Sequence, residues 1–478
     1  MNEFETVIGL EVHLQLSTKT KIFCGCANEF GQPPNMQTCP VCLGLPGTLP
    51  VFNREVLRYA LKIAVALNCQ INPYIKFDRK NYYYPDLPKG YQISQFDLPI
   101  AEHGYIIVAT DGGEKRITIK RAHIEEDAGK LIHDTSGSCS LVDYNRTGTP
   151  LMEIVTEPDL RSPQEAYDYL KTLKHTLEYL NVSDCDMEKG SLRCDANISI
   201  RKKGDQKLGT KTELKNMNSF RAVKTALEFE VSRHRQVIES GERIIQETRL
   251  WNDAKATTVS MRSKEEAHDY RYFPEPDLVP FTIDDATIQE TKASLPELPQ
   301  KKFKRFIDDY QLSEYDVNVL IQSRELADFF ETCAKLNKES KKISNWLTGP
   351  LLQEINTRKA SIKDLGVRPE DIIFLIQKLD DGSLNNLTAK DALKISIDNK
   401  KPVATIVAEK GLIQVSDEGA LDKIAQEVIE ENNSVVTQIL EGKDSAMGFL
   451  VGQAMRKTQG KANPKKLGEI IRRRIQHA

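Results

Sequence analysis

The sequence predicts an α+β protein in which an antiparallel-sheet-rich cradle domain is followed by an all-α helical domain and a small all-α tail domain. Alternating apolar residues in the first part of the chain predict strands that bury one face. A proline cluster ends this pattern, and helical spacing replaces it. With 478 residues, the chain is too long for one ordinary hydrophobic core. We expect the cradle domain at 1–292, the helical domain at 293–402 and the tail domain at 403–478.

Two segments of the cradle domain alternate as half-buried strands do, and they run from Glu5 to Leu16 and from Ser191 to Arg201. Such strands build a sheet with one buried face and one polar face. The side chains on the polar face are Glu11, His13 and Gln15 in the first strand, and Arg193, Asp195, Asn197 and Ser199 in the second.

Two helices are expected to interrupt these strands. One runs from near Arg54 to Leu67. The other begins at Ser162, where Ser162 and Glu165 form a capping box and Pro163 takes the first helical position. The prolines that mark the domain boundary are Pro274, Pro276, Pro280, Pro296 and Pro299. Beyond them, the segments 325–336 and 421–430 carry helical spacing.

Composition and charge narrow the class of protein. Hydrophobic residues make up 40% and charged residues 28% of the chain, as in globular proteins. No apolar run is long enough to span a bilayer, and the N-terminus lacks a signal peptide, so we expect no membrane partner and a cytoplasmic location. The net charge is only −3, but basic residues gather at the C-terminal end. Only Glu469 opposes them, and they are Arg456, Lys457, Lys461, Lys465, Lys466, Arg472, Arg473 and Arg474.

This basic end admits two interpretations. Clustered Lys and Arg residues bind a polyanion such as RNA. The same residues also favour the C-terminal turns of solvated helices. Charge alone leaves the choice between them open.

Four of the nine cysteines lie within nineteen residues, as Cys24-x-Cys26 and Cys39-x-x-Cys42. Glycine and proline between them form tight turns, and four thiolates brought together by turns are typical of zinc sites. The alternative is four unconnected buried thiols, which the scattered positions of the other five cysteines disfavour. Four protein ligands leave no open coordination position, so the zinc would be structural. We therefore predict a zinc-binding insert at 24–42.

The polar face of the first strand suggests a second metal site. Glu11 and His13 are two residues apart on a strand, so they share a face. Three consecutive acids, Glu125, Glu126 and Asp127, repel one another unless a cation or bases lie near. If strand alternation continues through them, only one of Glu125 and Glu126 faces Glu11. The sequence does not choose between the two.

Basic and amide side chains accompany these acids and suit the phosphates of a nucleotide or a nucleic acid. They are Lys80, Arg146, Arg193, Lys211 and Lys215, with Asn145, Asn197 and Asn216. Each basic residue taken singly is more often part of a surface ion pair. The tyrosines at 82–84 and 91 admit two interpretations: they stack on a base or hydrogen-bond a phosphate, or they form the core of a strand. No GxxxxGK[ST] loop is present, so a nucleotide site would be of another kind.

Ten segments of the chain resemble one known family, the B subunits of the aspartyl/glutamyl-tRNA(Asn/Gln) amidotransferase. The resemblance covers essentially the whole chain, in order. The segments are Val7–His13, Lys80–Asp86, Gln92–Asp97, Ile124–Lys130, Leu141–Asp159, Gly190–Asn197, Glu213–Phe220, Asp269–Asp277, Met447–Met455 and Gly460–Pro464. The last two resemble a small helical family that is also found alone and fused to this kind of chain.

The resemblance implies an enzyme, a ligase that forms a carbon–nitrogen bond with glutamine as the amide donor. It implies ATP-dependent phosphorylation of the side-chain carboxylate of mischarged Glu-tRNA(Gln) or Asp-tRNA(Asn), followed by amidation with ammonia. It places Glu11, His13, Glu125 and Glu126 at a Mg²⁺ site. We expect Lys80 and Arg146 to be further catalytic residues. We expect ATP to be bound by Arg193, Asn197, Lys211 and Lys215.

The resemblance also implies partners. No Gly-x-Ser-x-Gly motif or Ser/Lys amidase signature is found in the sequence, so glutamine hydrolysis belongs to another chain. The family supplies it from an amidase chain, the A subunit, and a small C subunit completes a heterotrimer. The competing hypothesis is a non-catalytic, zinc-containing tRNA-binding scaffold, and a third is an amino-acid ligase acting without tRNA. The acid-rich face argues against the scaffold, because a groove for phosphates does not display unneutralised carboxylates.

Overall fold

The computed structural model describes residues 3–133, 139–261, 270–413, 418–440, 446–458 and 462–477. Among the sequence predictions, Asp269, Gly460 and Lys461 lie outside these ranges. The chain divides into two compact units, Met1–Pro299 and Gln300–Ala478. No helix in the described ranges is long and apolar enough to cross a bilayer.

The first unit is built on a twelve-stranded sheet with the strand order β14-β13-β12-β11-β1-β10-β7-β5-β4-β15, and β6 joins β7 and β2 beside this path. All neighbours are antiparallel except β12 and β13. The strands of the described chain are β1 Phe4–Gln15, β2 Gln70–Ile71, β3 Tyr74–Ile75, β4 Asp78–Asn81, β5 Tyr91–Ser94, β6 Ala101–Thr110, β7 Gly113–Glu126, β8 Lys130–His133, β9 Ser140–Asp143, β10 Pro150–Thr156, β11 Leu192–Lys202, β12 Thr212–Lys215, β13 Glu247–Asn252, β14 Thr257–Ser260, β15 Phe273–Pro274 and β16 Phe281–Thr282.

One face of the central strands forms the hydrophobic core of this unit. In β1 the alternation is as predicted: Leu10, Val12 and Leu14 are buried, whereas Glu11 and His13 are partly exposed on the other face. Helices pack on the apolar face, and they are α1 Arg54–Ala66, α2 Pro163–Leu180, α3 Phe220–Glu239 and α4 Asp285–Ser294, with a short 3₁₀ turn at Asp253–Lys255. The opposite, polar face of the sheet is therefore available for chemistry.

The predicted helices α1 and α2 are confirmed, but the predicted capping box is only half formed. The Ser162 hydroxyl accepts a hydrogen bond from the Glu165 amide at 3.1 Å. The Glu165 carboxylate does not return the bond to Ser162. It accepts from the Arg161 amide at 2.7 Å and pairs with Lys115 instead. The expectation of two helices in this unit is wrong, since α3 and α4 also belong to it.

The second unit is helical in its described residues. Its helices are α5 Pro299–Tyr310, α6 Glu314–Leu320, α7 Arg324–Leu336, α8 Ser340–Trp346, α9 Leu352–Arg358, α10 Ile362–Leu365, α11 Pro369–Asp380, α12 Asn386–Asn399, α13 Val403–Glu409, α14 Glu418–Glu431, α15 Asn433–Leu440, α16 Met447–Lys457 and α17 Pro464–His477, with a π-helical turn at Leu347–Leu351. One apolar cluster extends from Phe306 to Val407 and another from Leu421 to Ile475. The predicted α+β fold class is confirmed. The division of this part into two domains stays a prediction.

Candidate active site

The candidate site lies where β7, β10, β1 and β11 expose their polar side chains. The strand register places His13 opposite Glu153 on one side and opposite Arg193 on the other. Glu153 in turn lies opposite His123 of β7. Because these positions are aligned across the sheet, their side chains form one row on the polar face.

Three side chains of this face bring possible metal-ligand atoms together. The ligand atoms of His13, Glu125 and Glu153 all lie within 4.8 Å of one another. We call these three residues the HEE cluster. His13 Nε2 is 3.4 Å from Glu153 and 4.0 Å from Glu125. Two carboxylates and one imidazole are a donor set that divalent cations accept.

A fourth side chain braces the HEE cluster. The His123 Nε2 atom is 3.3 Å from Glu153 and 3.6 Å from Glu125. The Ser94 hydroxyl donates to Glu125 at 3.2 Å. His123 and Glu125 are both buried. These contacts fix the orientation of the two carboxylates, as residues around a metal site do.

The charges in the HEE cluster depend on one another. Burial raises the pKa of Glu125, but the hydrogen bond and charge of His123 outweigh it and hold that pKa below its ordinary value. The pKa of Glu153 is likewise lowered by His123 and His13 against the effect of burial. Burial lowers the pKa of His13, yet Glu153 and Glu125 raise it overall. Both carboxylates are therefore ionised, and with His13 in its neutral form the three side chains fit a divalent cation.

Glu126 lies on the other face of the sheet. It follows Glu125 on the extended strand β7, so its side chain points the opposite way. Its carboxylate pairs with Lys89 at 2.6 Å and accepts from the Ile93 amide at 2.8 Å. The structure therefore resolves the choice that the sequence left open, in favour of Glu125. Glu126 is not brought to the HEE cluster, contrary to what the resemblance implied.

Glu11 occupies the row next to the HEE cluster. It lies opposite Asp195 of β11, and its carboxylate accepts from the Asn197 amide at 2.9 Å. Burial raises its pKa, and the nearby charges of Glu153, Glu213 and Asp195 raise it further. The Asn197 Oδ1 atom is buried without a hydrogen-bond partner. Glu11 shares the polar face with the cluster, but its ligand atoms are not among the three that converge.

The predicted basic residues differ in how firmly they are held. Lys215 pairs with Asp195 and, at 3.1 Å, with Glu213. Arg193 donates to the buried Asp127 at 3.0 Å. Lys211 is exposed just before β12.

The last two predicted residues are Lys80, which belongs to β4, and Arg146, which lies four residues before β10. Arg146 donates to the carbonyl oxygens of Ala128 and Gly129 at 2.8 and 2.7 Å. The Lys80 ammonium lies 5.7 and 5.0 Å from the ring centroids of Tyr82 and Tyr270. Among the described residues, Lys80 has no carboxylate within ion-pair distance. Lys80 and the exposed Lys211 are therefore the predicted basic residues best able to meet an anionic substrate.

The four clustered cysteines also converge. The Sγ atoms of Cys24, Cys26, Cys39 and Cys42 lie within 4.8 Å of one another. The Cys42 sulfur accepts from the Cys39 amide at 3.1 Å, and its pKa is lowered to about 5, chiefly by the Cys24 thiol and also by the Lys21 charge. Four sulfur donors at this spacing fit tetrahedral zinc.

Comparison with known proteins identifies the family. Residues 6–289 match the family model of the GatB/GatE catalytic domain, and residues 328–475 match that of the GatB domain. The chain is 52% identical over 478 residues to the B subunit of the aspartyl/glutamyl-tRNA(Asn/Gln) amidotransferase of Carboxydothermus hydrogenoformans, covering 99% of both chains. This chain belongs to the family of amidotransferase B subunits.

Other members of the family are similarly close. The B subunit of Caldanaerobacter subterraneus subsp. tengcongensis is 53% identical over 474 residues, with 99% of each chain covered. That of Brevibacillus brevis is 50% identical over 471 residues, with 98% of each covered. The family predicted from the sequence is confirmed, and with it the function as part of an amidotransferase. The HEE cluster lies within the part that matches the catalytic-domain model.

Sequence reasoning did not name Glu153 and His123 as site residues, although the structure brings both together with His13 and Glu125. Glu153 lies in the conspicuous segment Leu141–Asp159, and Met152 and Ile154 beside it are buried. Reading β10 as an alternating strand would have placed Glu153 on the polar face. His123 is two residues before Glu125 on β7, so the alternation of a strand would have placed both side chains on the same face.

Proposed function

We propose that the polar face of the first unit is the transamidation centre of the enzyme. The side-chain carboxylate of Glu or Asp on a mischarged tRNA attacks the γ-phosphate of ATP, and ADP leaves. Ammonia then displaces phosphate from the acyl phosphate to give the amide. The observation that carries this proposal is the convergence of His13, Glu125 and Glu153 within the catalytic-domain match.

The substrate carboxylate is itself the nucleophile, so the chain needs no activated serine or cysteine. Lys80 is placed to attract the phosphate oxygens, because no described carboxylate lies within ion-pair distance of its ammonium group, although its charge acts on Glu153 from further away. Lys215 and Arg193 add positive charge further along the same face, although each already has a carboxylate partner. Asn197 offers an unpartnered buried oxygen as a hydrogen-bond acceptor.

Metal ions complete the proposal. The HEE cluster would hold Mg²⁺, which when bound neutralises the charge that develops on the phosphoryl group. His123 and Ser94 contact the two carboxylates and keep Glu125 and Glu153 in place. The four cysteines would hold a structural zinc ion, which stabilises the insert at 24–42.

The relatives are named as one subunit of an enzyme, which implies a complex with other chains. We propose that the amidase chain, the A subunit, hydrolyses glutamine and supplies the ammonia, and that the small C subunit completes a cytoplasmic heterotrimer. The tail from α14 to α17 would bind the body of tRNA(Gln) or tRNA(Asn). Its exposed basic side chains support this role, and they include Lys465, Lys466, Arg472 and Arg473.

The test separates this enzyme from a tRNA-binding scaffold. The assembled enzyme is incubated with ATP, Mg²⁺, glutamine and each mischarged tRNA, and the aminoacyl products and the ADP released are identified. We expect ATP cleavage only with a mischarged tRNA, and Gln-tRNA or Asn-tRNA as the product. ATP cleavage that does not depend on the aminoacyl group would contradict the proposal.

A further inference from the structure

A row of aromatic rings lies beside the HEE cluster. The rings of Phe96 and Tyr272 are parallel within 9°, with centroids 4.0 Å apart. Tyr270 contacts Tyr272 edge-on at 6.2 Å, and Tyr82 contacts Tyr270 in the same manner at 5.8 Å. We call the Phe96–Tyr272 pair the stacked pair. It differs from its neighbours because two flat faces are aligned.

The stacked pair is partly exposed to solvent. The Phe96 side chain is 47% exposed, although a large apolar ring gains free energy from burial. Tyr272 is only partly buried. An exposed parallel pair offers a flat apolar surface, which is the kind of surface on which nucleobases stack.

The backbone under the stacked pair is fixed to the strand that carries Glu125. Arg121 of β7 donates to the carbonyl oxygens of Phe96 and Gln95 at 2.9 and 2.8 Å. The Gln95 side chain accepts from the Ile124 amide at 3.0 Å. Phe96 therefore has a defined position relative to the HEE cluster.

The stacked pair is also near the cluster. Ser94, which donates to Glu125, precedes Phe96 by two residues, so their Cα atoms are at most about 7 Å apart. On the other ring, burial raises the pKa of the Tyr272 phenol, and the negative charges of Glu125 and Glu153 raise it further. The rings thus extend from the acids of the cluster toward solvent.

We propose that the stacked pair is a platform for an adenine base, whose ribose would point toward the HEE cluster. This inference rests on the proposed function, because both substrates of that reaction carry an adenosine. One is ATP, and the other is the 3′-terminal nucleotide of the tRNA, whose ribose bears the amino acid. Tyr272 and Phe96 would contact the base, whereas the cluster meets the reacting groups.

The test uses the assembled enzyme with Phe96→Leu, which keeps an apolar side chain of similar size and removes the ring face, and with Phe96→Tyr, which keeps the ring. For each variant we measure the affinity for ATP. We also measure the affinities for an uncharged tRNA ending in CCA and for the same tRNA lacking the terminal adenosine, and we take the ratio of these two. Stacking of one base on an aromatic ring changes affinity by about 5- to 150-fold.

If the platform takes the terminal adenosine, Phe96→Leu reduces the CCA-to-CC affinity ratio by about tenfold and leaves ATP affinity unchanged. If it takes ATP, the ATP affinity falls by about tenfold and the ratio is unchanged. In either case Phe96→Tyr restores the wild-type value. Unchanged values for both ligands, or a loss that Phe96→Tyr does not restore, would overturn the proposal.

A matched control is available one residue from the pair. Phe273 is 45% exposed, and its ring faces the Arg79 guanidinium at 5.7 Å instead of the cluster. Phe273→Leu should leave both affinities unchanged, and equal losses in this variant would also overturn the proposal. Wild-type turnover with mischarged tRNA is measured alongside. If the wild-type enzyme does not turn over, the proposed function is wrong. If it turns over normally but the Phe96 variants bind both ligands as the wild type does, only the platform proposal is wrong.

Discussion

At the scale of single residues, the two adjacent acids at the end of β7 have opposite surroundings. Glu125 faces two histidines and a second carboxylate, and Glu126 faces a lysine and a backbone amide. A strand turns successive side chains to opposite faces, so neighbours in sequence need not share a function. Substituting each acid in turn therefore separates catalysis from stability.

We expect Glu125→Gln to reduce tRNA-dependent ATP cleavage by at least about 100-fold, because it removes a carboxylate from the HEE cluster. Its thermal stability should fall, because the lowered pKa of Glu125 shows that its charge stabilises the folded state through His123, but by less than in Glu126→Gln, since the change also relieves repulsion between Glu125 and Glu153. Steady-state assays at saturating tRNA and a range of Mg²⁺ concentrations provide the measurement. Full turnover at high Mg²⁺ would show that Glu125 has no part in the reaction.

We expect Glu126→Gln to have the reverse effect. It leaves the nearly buried Lys89 without its counter-charge, which costs about 3–5 kcal/mol of folding free energy. The melting temperature should fall on the order of 10 °C, whereas turnover well below it is retained. The double variant Lys89→Met with Glu126→Met should recover most of the stability, because an apolar pair replaces a buried ion pair at little cost. A catalytic loss as large as that of Glu125→Gln would restore Glu126 to the metal site.

At the scale of elements, helix α3 is clamped to the edge strands by a buried polar network. Glu230 and His234 of α3 are fully buried. Glu230 accepts from Thr258 of β14 at 2.6 Å and pairs with Arg249 of β13 at 3.3 Å. His234 Nε2 lies 2.9 Å from the hydroxyl of Thr212 in β12. The network thus supports the strands that carry Glu213 and Lys215 on the polar face.

This network predicts a pH dependence of stability. Burial raises the pKa of Glu230, but hydrogen bonds from His234, Arg233 and Thr258 outweigh it and hold the pKa at about 2. A carboxyl group whose folded pKa is lowered contributes stability above its unfolded pKa, near 4.5, and loses it as the pH falls toward 2. Between pH 7 and pH 3 the free energy of unfolding of the wild type should therefore decrease by about 2 kcal/mol because of Glu230.

The variant Glu230→Gln tests the dependence. It should be less stable than the wild type at pH 7, and the difference should shrink as the pH falls to 3. Urea unfolding at several pH values measures both chains. A difference that is constant across this range would show that the Glu230 charge does not stabilise α3.

Helix α3 also shows where sequence reasoning failed. Its buried positions include Val223, Ala226 and Leu227, but also Glu230 and His234, so polar residues break the apolar stripe that marks a helix. In β1 the period was unbroken, and the strand and its polar face were predicted correctly. The convergence of the HEE cluster depends on the pairing of β1 with β10 and of β10 with β7. Residues far apart in sequence determine that register, and no local pattern records it.

The stability of the insert at 24–42 should depend on a bound metal ion. We expect one zinc ion per chain and a lower melting temperature for Cys39→Ser, because a structural zinc site contributes folding free energy directly. Metal analysis of protein purified under reducing, chelator-free conditions gives the stoichiometry. Cys69→Ser is a suitable control, since Cys69 lies outside the four-sulfur group. Protein without zinc, or equal stability of the Cys39 variant, would contradict the prediction.

At the scale of the whole molecule, charge is distributed unevenly between catalytic and tail regions. The polar face of the sheet combines acids with bases, whereas exposed positive residues dominate α17. Not all tail charges are available to a polyanion, because Arg474 pairs with Asp422 and Lys457 pairs with Glu427 and Glu431. The buried residues of α16 and α17 belong to the same cluster as Leu421 of α14, so deleting the last helices would expose apolar surface. Point substitutions therefore test the tail more cleanly than truncation.

The last prediction concerns Lys465 and Arg472, which are seven residues apart on α17, close to two turns, and so lie on one exposed face. If this face contacts tRNA phosphates, the double variant Lys465→Gln with Arg472→Gln should weaken tRNA binding. Each lost phosphate contact flattens the log–log salt dependence by roughly 0.7–0.9, so two contacts give about 1.4–1.8. Turnover at saturating tRNA should persist, because the proposed catalytic residues lie in the first unit, within the catalytic-domain match. Lys390→Gln with Lys394→Gln removes the same charge from exposed positions of α12 and should leave the slope unchanged. Equal slopes for the tail variant and the wild type would show that these residues only solvate the end of the helix.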